Sequence, residues 1–296
     1  MSDTPIIRYG GKGAMAHLIY PHFVATTLYA EPFFGGGGMF FQIPRGNWRS
    51  CVVNDLEDRI INFFTQLRDN HQQLIEKCEL SPFARQEFLN CREKADDPLE
   101  DARRFFVIST QAFSGNYNTT GWRCLSPDSD SHTMVRNKVA GLSEFVSRIK
   151  GTAIEHQDAA SFVRQYARPG VFFYSDPPYV TSSRIDKNVY TCEMTDEQHR
   201  DLAAAHNEAT MEGAKICISG YNSPLYEELY RGWRTIDIEV PVSASNSQLV
   251  DRAKPDDVAQ VAVLLGHPQA DVGRAGQQRR LGLARQQRRQ LGQRAR

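Results

Sequence analysis

No stretch of the 296-residue chain approaches the roughly 20 consecutive apolar residues that a membrane-spanning helix requires. The N-terminus also lacks the basic-then-apolar profile of a secretory signal, so neither a membrane nor a secreted protein is expected. Cysteine is sparse. Six residues, at 51, 78, 91, 124, 192 and 217, form no Cys-x-x-Cys pair, and no histidine lies at zinc-ligand spacing. A disulfide framework and a structural metal are therefore not expected, and the reducing cytoplasm is the default compartment. Net charge is absent too, with 35 Lys and Arg against 35 Asp and Glu. What the chain does have is 41% hydrophobic and 10% aromatic residues, enough to exclude global disorder and to build a substantial core.

The charge balance hides an asymmetry. Residues 266–296 carry eight arginines and one acid, Asp271, which leaves residues 1–265 with seven more acids than bases. This tail repeats Gln-Gln-Arg-Arg at 277–280 and 286–289 and has no apolar face, so burial cannot offset its ordering entropy. It reads as a disordered segment: a solvated appendage, a shifted reading frame, or an arm that adds salt-sensitive affinity for nucleic acid.

Two strand-to-loop transitions open the folded part. Thr27-Leu28-Tyr29-Ala30 runs into Glu31-Pro32-Phe33-Phe34 and four glycines, 35–38; Ser50-Cys51-Val52-Val53 runs into Asn54-Asp55 and a helical pattern through Ile60, Phe63, Phe64 and Leu67. Strand, glycine turn, helix and acid-ended strand read as the first βαβ of a nucleotide-binding sheet. Residues 68–148 differ. Helical periodicity through 82–91 and 99–108 precedes a polar, turn-rich stretch from Ser114 to Asn137, which predicts a helical insertion carrying a loop or hairpin. Strands return at 152–156, 171–175, 215–219 and 235–240, and a further strand is expected within 256–265. Thr195 with Gln198 forms a capping box that starts a helix. The alternation predicts an α/β fold.

Two local patterns carry chemistry. Phe33-x-Gly35-x-Gly37 lets backbone approach a ligand, and Asp55 lies 20 residues after Gly35, where an acid can accept from ribose hydroxyls. By itself the loop is equally a plain tight turn. It lacks the third glycine of a dinucleotide fingerprint and the Gly-Lys-Ser/Thr of a phosphate loop. Asp176-Pro177-Pro178-Tyr179 ends an apolar strand. Two prolines would make a turn there in any case, but they also remove two N–H donors and leave an acceptor-only rim, the Asp176 carboxylate and the Pro177 carbonyl. Such a rim suits an exocyclic amine with two N–H donors, and Tyr179 offers a face for a planar base.

Together, Glu31-Pro32-Phe33-Phe34-Gly35-Gly36-Gly37-Gly38, Asp176-Pro177-Pro178-Tyr179, the Gly10-Gly11-Lys12 end of 5–12, Asn54-Asp55-Leu56, and Phe113-Ser114-Gly115-Asn116-Tyr117-Asn118 resemble, in order, the motifs of Dam-type DNA adenine N6-methyltransferases. The resemblance covers about residues 5–250. It implies a Rossmann-like S-adenosylmethionine-dependent methyltransferase sheet, with a catalytic domain at 1–67 and 149–265 and a helical target-recognition domain at 68–148. It implies site-specific methyl transfer to N6 of a flipped adenine in double-stranded DNA, with Asp176, Pro177, Pro178 and Tyr179 as catalytic residues. Tyr9, Lys12, Phe33, Gly35, Gly37, Asp55, Asp158 and Asp176 would contact the cofactor, and Asn118, Arg123 and Arg136 the DNA. A monomer in the cytoplasm of a bacterial or phage-infected cell is expected, acting in restriction-modification or a phage. The chain departs from the family pattern in three places. Tyr9 lies one residue closer to Gly-Gly-Lys than usual, the recognition segment lacks Leu-Tyr-Arg-Tyr-Asn, and the region after Asn246 is altered. The rival readings are a catalytically silent DNA-binding regulator and an enzyme acting on cytosine N4, RNA adenine or a protein glutamine. The acidic body further requires that the basic residues Arg123, Arg136, Lys138, Arg184 and Lys187 gather on one face.

Overall fold

The computed structural model describes residues 4–8, 10–44, 46–113, 117, 121–123, 130–179, 194–220, 223–241 and 258–266. Seven strands form one sheet: β1 (Leu28–Glu31), β2 (Ser50–Asn54), β3 (Thr152–Glu155), β4 (Val171–Ser175), β5 (Lys215–Gly220), β6 (Arg234–Pro241) and β7 (Val258–Gly266). Their order is β3-β2-β1-β4-β5-β7-β6. The first five pair in parallel, and β7 inserts antiparallel between β5 and β6. Every residue of β4 is buried, as expected of a central parallel strand covered on both faces, and that is why Val171-Phe172-Phe173-Tyr174-Ser175 reads as an unbroken run.

Strand alternation splits the core into two layers. Tyr29, Val53, Phe172, Tyr174 and Cys217 face a cluster built with α1 (Ala16–Ile19), α2 (Asp58–Asp69), α3 (His71–Glu79), α4 (Arg85–Asn90), α5 (Pro98–Gln111) and α6 (Ser131–Ile149). Ala30, Val52, Phe173, Ile216 and Ile218 face α7 (Ala159–Tyr166) and α8 (Asp196–Met211). The inward residues of α2 are Ile60, Phe63, Phe64 and Leu67, and each fully buried phenylalanine contributes about 1.5–3 kcal/mol by area. Thr195 caps α8 as the sequence predicts: Gln198 N donates to Thr195 Oγ1 at 3.2 Å, and Thr195 N donates to Gln198 Oε1 at 2.8 Å.

Two local expectations are corrected. Between the glycine loop and β2 the chain forms turns, not the expected helix. Phe41 N donates to Gly37 O and Ile43 N to Met39 O, but the left-handed Gly37 before them and Pro44 after them confine the helical geometry to one turn. The polar stretch ending at Asn137 is also shorter than expected. Asp130 caps Thr133 N at 3.2 Å, and α6 starts at Ser131 with its buried residues mostly further along, at Val139, Leu142, Val146 and Ile149. The expected 256–265 strand exists as β7 and reaches Gly266; residues 267–296 lie outside the described residues. No helix among the described residues is long and apolar enough to cross a membrane.

Candidate active site

Going from β1 the chain builds the sheet outward through β2 to β3, then returns to place β4 on the other side of β1. The crevice beyond the carboxyl ends of β1 and β4 is thus the topological switch point, where open α/β sheets bind ligands. A cavity of about 1060 Å³, counted out to bulk solvent, lies there. Its wall includes Lys12, Phe33, Gly35, Asp55, Asp158, Asp176 and Pro178, so residues from distant parts of the sequence converge.

Asp176 follows β4 directly. Lys12 Nζ lies 2.9 Å from both carboxylate oxygens and also donates to Gly10 O at 2.9 Å. The Lys12 ammonium sits 4.8 Å from the centroid of the Tyr179 ring, which is itself buried. Ser219, near the end of β5, donates from Oγ to Asp176 Oδ1 at 2.8 Å, and the Tyr174 hydroxyl is 2.9 Å from the same Oγ. Pro177 is buried, while Pro178 lines the cavity.

The glycine loop is fixed from below by Asp55. Its Oδ2 accepts from Gly35 N at 2.7 Å and its Oδ1 from Glu57 N at 3.0 Å. Burial raises the Asp55 carboxyl above its ordinary range, against the lowering effect of those N–H groups and of Arg8. Asn54 links three segments: its Nδ2 donates to Pro32 O and Gln157 O, and Gln157 N donates to its Oδ1, all at 3.0 Å. Asp158 caps α7 by accepting from Ser161 N at 2.9 Å and still borders the cavity. Gly35 has φ +53° and nothing within 4 Å of where a Cβ would sit, so the cavity floor there is bare backbone. Gly37 lies off the wall; a Cβ there would come within 2.5 Å of the Phe41 ring, so packing demands this glycine. A bare glycine floor, a half-buried carboxylate just past β2 and apolar Phe33 together fit an amino-acid-bearing nucleoside such as S-adenosylmethionine.

Glu31 ends β1 and also faces the cavity. It is only 2% exposed, and its Oε2 accepts from Tyr29 OH at 2.8 Å. Burial pushes its carboxyl well above the usual range; the Tyr29 hydrogen bond opposes this, and nearby Asp176 adds to it. Glu57 pairs with Arg8 at 3.0 Å and accepts from the hydroxyl of Tyr117, so Tyr117 is tied to a residue of the cavity wall. Glu31, Asn54, Glu57, Tyr174 and Ser219 were assigned no role from sequence. Their one sequence signal is position, since each lies at, beside or just beyond a strand terminus.

Of the residues expected at DNA, Arg123 is half-buried, donating to Ala112 O and Met134 Sδ at 3.4 Å each, and burial lowers its pKa. Arg136 is exposed on α6. Lys138 binds Thr4 O at 2.6 Å. Tyr9, Asn118, Arg184 and Lys187 lie outside the described residues. Among the described residues no cluster of three His, Cys, Asp or Glu could hold a metal ion.

The family model for D12 class N6 adenine-specific DNA methyltransferases matches residues 9–243. The chain is 25% identical over 245 residues to the type II methyltransferase M1.LlaDCHI of Lactococcus lactis subsp. cremoris, covering 78% of this chain and 84% of that protein. It is 24% identical over 237 residues to the type II methyltransferase M.MjaIII of Methanocaldococcus jannaschii, covering 69% and 78% respectively. With the DNA N-6-adenine-methyltransferase of Escherichia phage P1 it shares 25% identity over 239 residues, 75% of this chain but 30% of that protein.

Proposed function

The chain belongs to the D12 class of N6 adenine-specific DNA methyltransferases, and from that premise we propose a role for each wall of the cavity. The reaction moves a methyl group from S-adenosylmethionine to adenine N6 in DNA. When bound, the cofactor supplies an electrophilic methyl group on a sulfonium sulfur. Asp55 would accept from its ribose hydroxyls, Phe33 and Gly35 would border its methionine half with Lys12, and Asp158 would lie toward its adenine. Tyr9 and Gly37 complete the proposed cofactor set, Gly37 by shaping the loop. Residues 68–148 would form the target-recognition part, with Asn118, Arg123 and Arg136 on double-stranded DNA, and 1–67 with 149–265 the catalytic part. The enzyme would be site-specific and monomeric, and would work in the cytoplasm of a bacterial or phage-infected cell as a modification enzyme.

The observation that carries this reading is the Asp176 carboxylate, fixed by Lys12 and Ser219 at the switch point beside the glycine loop. A target amine is buried in the base stack, so the adenine must be flipped out at a cost of a few kcal/mol. A carboxylate has about four lone-pair sites, so Lys12 and Ser219 leave room for one amine hydrogen. The Pro177 carbonyl would accept the other, and the nitrogen lone pair then faces the incoming methyl. Asp176 stabilises the positive charge that grows on N6 and takes up the proton released once the new N–C bond has formed. Tyr179 would stack on the base. Asp176→Ala should abolish N6-methyladenine in nucleoside analysis of treated DNA while leaving cofactor affinity within about threefold, since its hydrogen bonds serve the amine. N4-methylcytosine in the wild-type product would overturn the amine assignment, and methylation-sensitive sequencing would define the site.

A further inference from the structure

Asp176 is held by a second strand. β4 and β5 run parallel with Tyr174 opposite Cys217 and Ser175 opposite Ile218. Alternation therefore turns Tyr174, Asp176, Cys217 and Ser219 to one face of the sheet. Ser219 and Tyr174 are 0% and 1% exposed, so no bulk water competes for their hydroxyls. Ser219 has one proton, and it goes to Asp176 Oδ1 at 2.8 Å. The 2.9 Å contact with Tyr174 must then run from the tyrosine hydroxyl to Ser219 Oγ.

We propose that Ser219, oriented by Tyr174, is the positioning residue that fixes the Asp176 carboxylate for the target amine. This rests on the reading of Asp176 as the amine acceptor. An aspartate side chain has a broad, nearly twofold χ2 well, so without an anchor its plane would wander. Lys12 does not supply that anchor, because an ammonium equidistant from both oxygens tolerates rotation of the carboxylate about its own axis. The Ser219 bond is directional and lies on Oδ1 alone, so it selects the orientation of the carboxylate whose Oδ2 takes only the Lys12 contact. Tyr174 polarises the serine hydroxyl and strengthens the bond to the carboxylate.

The test compares wild type with Asp176→Asn, Ser219→Ala, Tyr174→Phe and the Ser219→Ala/Tyr174→Phe double variant, reading kcat and KM on duplex DNA, cofactor affinity and Tm. Ser219→Ala should lower kcat roughly 10–100-fold through misorientation while cofactor affinity stays within about twofold. It should also lower Tm, because it strands the buried Tyr174 hydroxyl. The double variant removes both hydroxyls and should regain most of the lost Tm while kcat stays low. A purely structural role would instead return kcat together with Tm, and that result, or a wild-type kcat in Ser219→Ala, would overturn the proposal. An active Asp176→Asn would defeat the reading of Asp176 itself. An inactive Asp176→Asn beside an unimpaired Ser219→Ala would defeat only the role given to Ser219.

Discussion

Asp55→Asn separates the hold that this carboxylate has on the glycine loop from the role proposed for it on the cofactor ribose. In the structure each oxygen accepts one backbone N–H, Gly35 at 2.7 Å and Glu57 at 3.0 Å. An asparagine must turn its NH₂ toward one of these donors, so one charge-assisted bond is lost and the other becomes neutral. A hydrogen bond to a charged group contributes about 1.5–3 kcal/mol and a neutral one about 0.5–1.5 kcal/mol. The two changes together come to roughly 2.5–4.5 kcal/mol, and the cost of burying the charge, which already raises the Asp55 carboxyl, returns part of it. A net loss of about 2 kcal/mol follows, spread between the glycine loop and the ligand, and cofactor affinity should fall roughly 10–30-fold. Calorimetry with S-adenosylmethionine and with an analogue lacking a ribose hydroxyl distinguishes the jobs. If Asp55 accepts from the ribose, the wild type should discriminate between the two ligands and the variant much less. Equal losses for both ligands would show that Asp55 acts only through Gly35, and wild-type affinity in the variant would refute both roles.

Glu31 gives a pH signature. Its folded pKa is raised well above 4.5, so the stability linked to its proton is fully present below that value and is lost as pH rises through the raised one; Glu31→Gln should flatten this decline in urea unfolding across a pH series. Arg123→Ala should lower Tm, because its half-buried guanidinium holds Ala112 O and Met134 Sδ, whereas Arg136→Ala should leave Tm unchanged and reduce the salt slope of DNA binding by about one. A Tm loss confined to Arg136→Ala would reverse these assignments. Truncation after Gly266 should leave Tm nearly unchanged and weaken non-specific DNA binding most at low salt. Truncation before Val258 removes the strand between β5 and β6 and should abolish cooperative unfolding.

The central strands were legible because burial on both faces leaves no polar residue to interrupt them, as in β4. The turn segment after β1 was not. Phe33, Phe34, Met39, Phe40 and Phe41 supply an apolar run of helical appearance, yet a left-handed glycine inside it stops propagation. Asp55 and Asp176 stood out because each is an acid just past an apolar strand. Glu31 has the same position on β1 but was read only as part of a motif. Ser219 carries only the signal of its strand-end position, since its partner depends on the register of β4 against β5, and residue spacing along one strand does not contain that register.

The two acids beside β1 and β4 share a design that becomes visible once the strands are aligned. Each has a tyrosine two residues earlier, Tyr29 before Glu31 and Tyr174 before Asp176, so strand alternation places hydroxyl and carboxylate on the same face. Tyr29 donates directly to Glu31 at 2.8 Å, whereas Tyr174 reaches Asp176 through Ser219. Both tyrosines are buried and both hydroxyls have their pKa raised well above 10.0, so they remain donors throughout the working range of pH. The negative charge of Asp176 adds to the burial that raises the Glu31 carboxyl. The difference between them lies in the cation. Lys12 sits on Asp176 at 2.9 Å, while Glu31 has a neutral phenol as its partner, and burial favours its protonated form. Which of the two acids carries a cation thus follows from which strand end the Gly10-Gly11-Lys12 segment reaches.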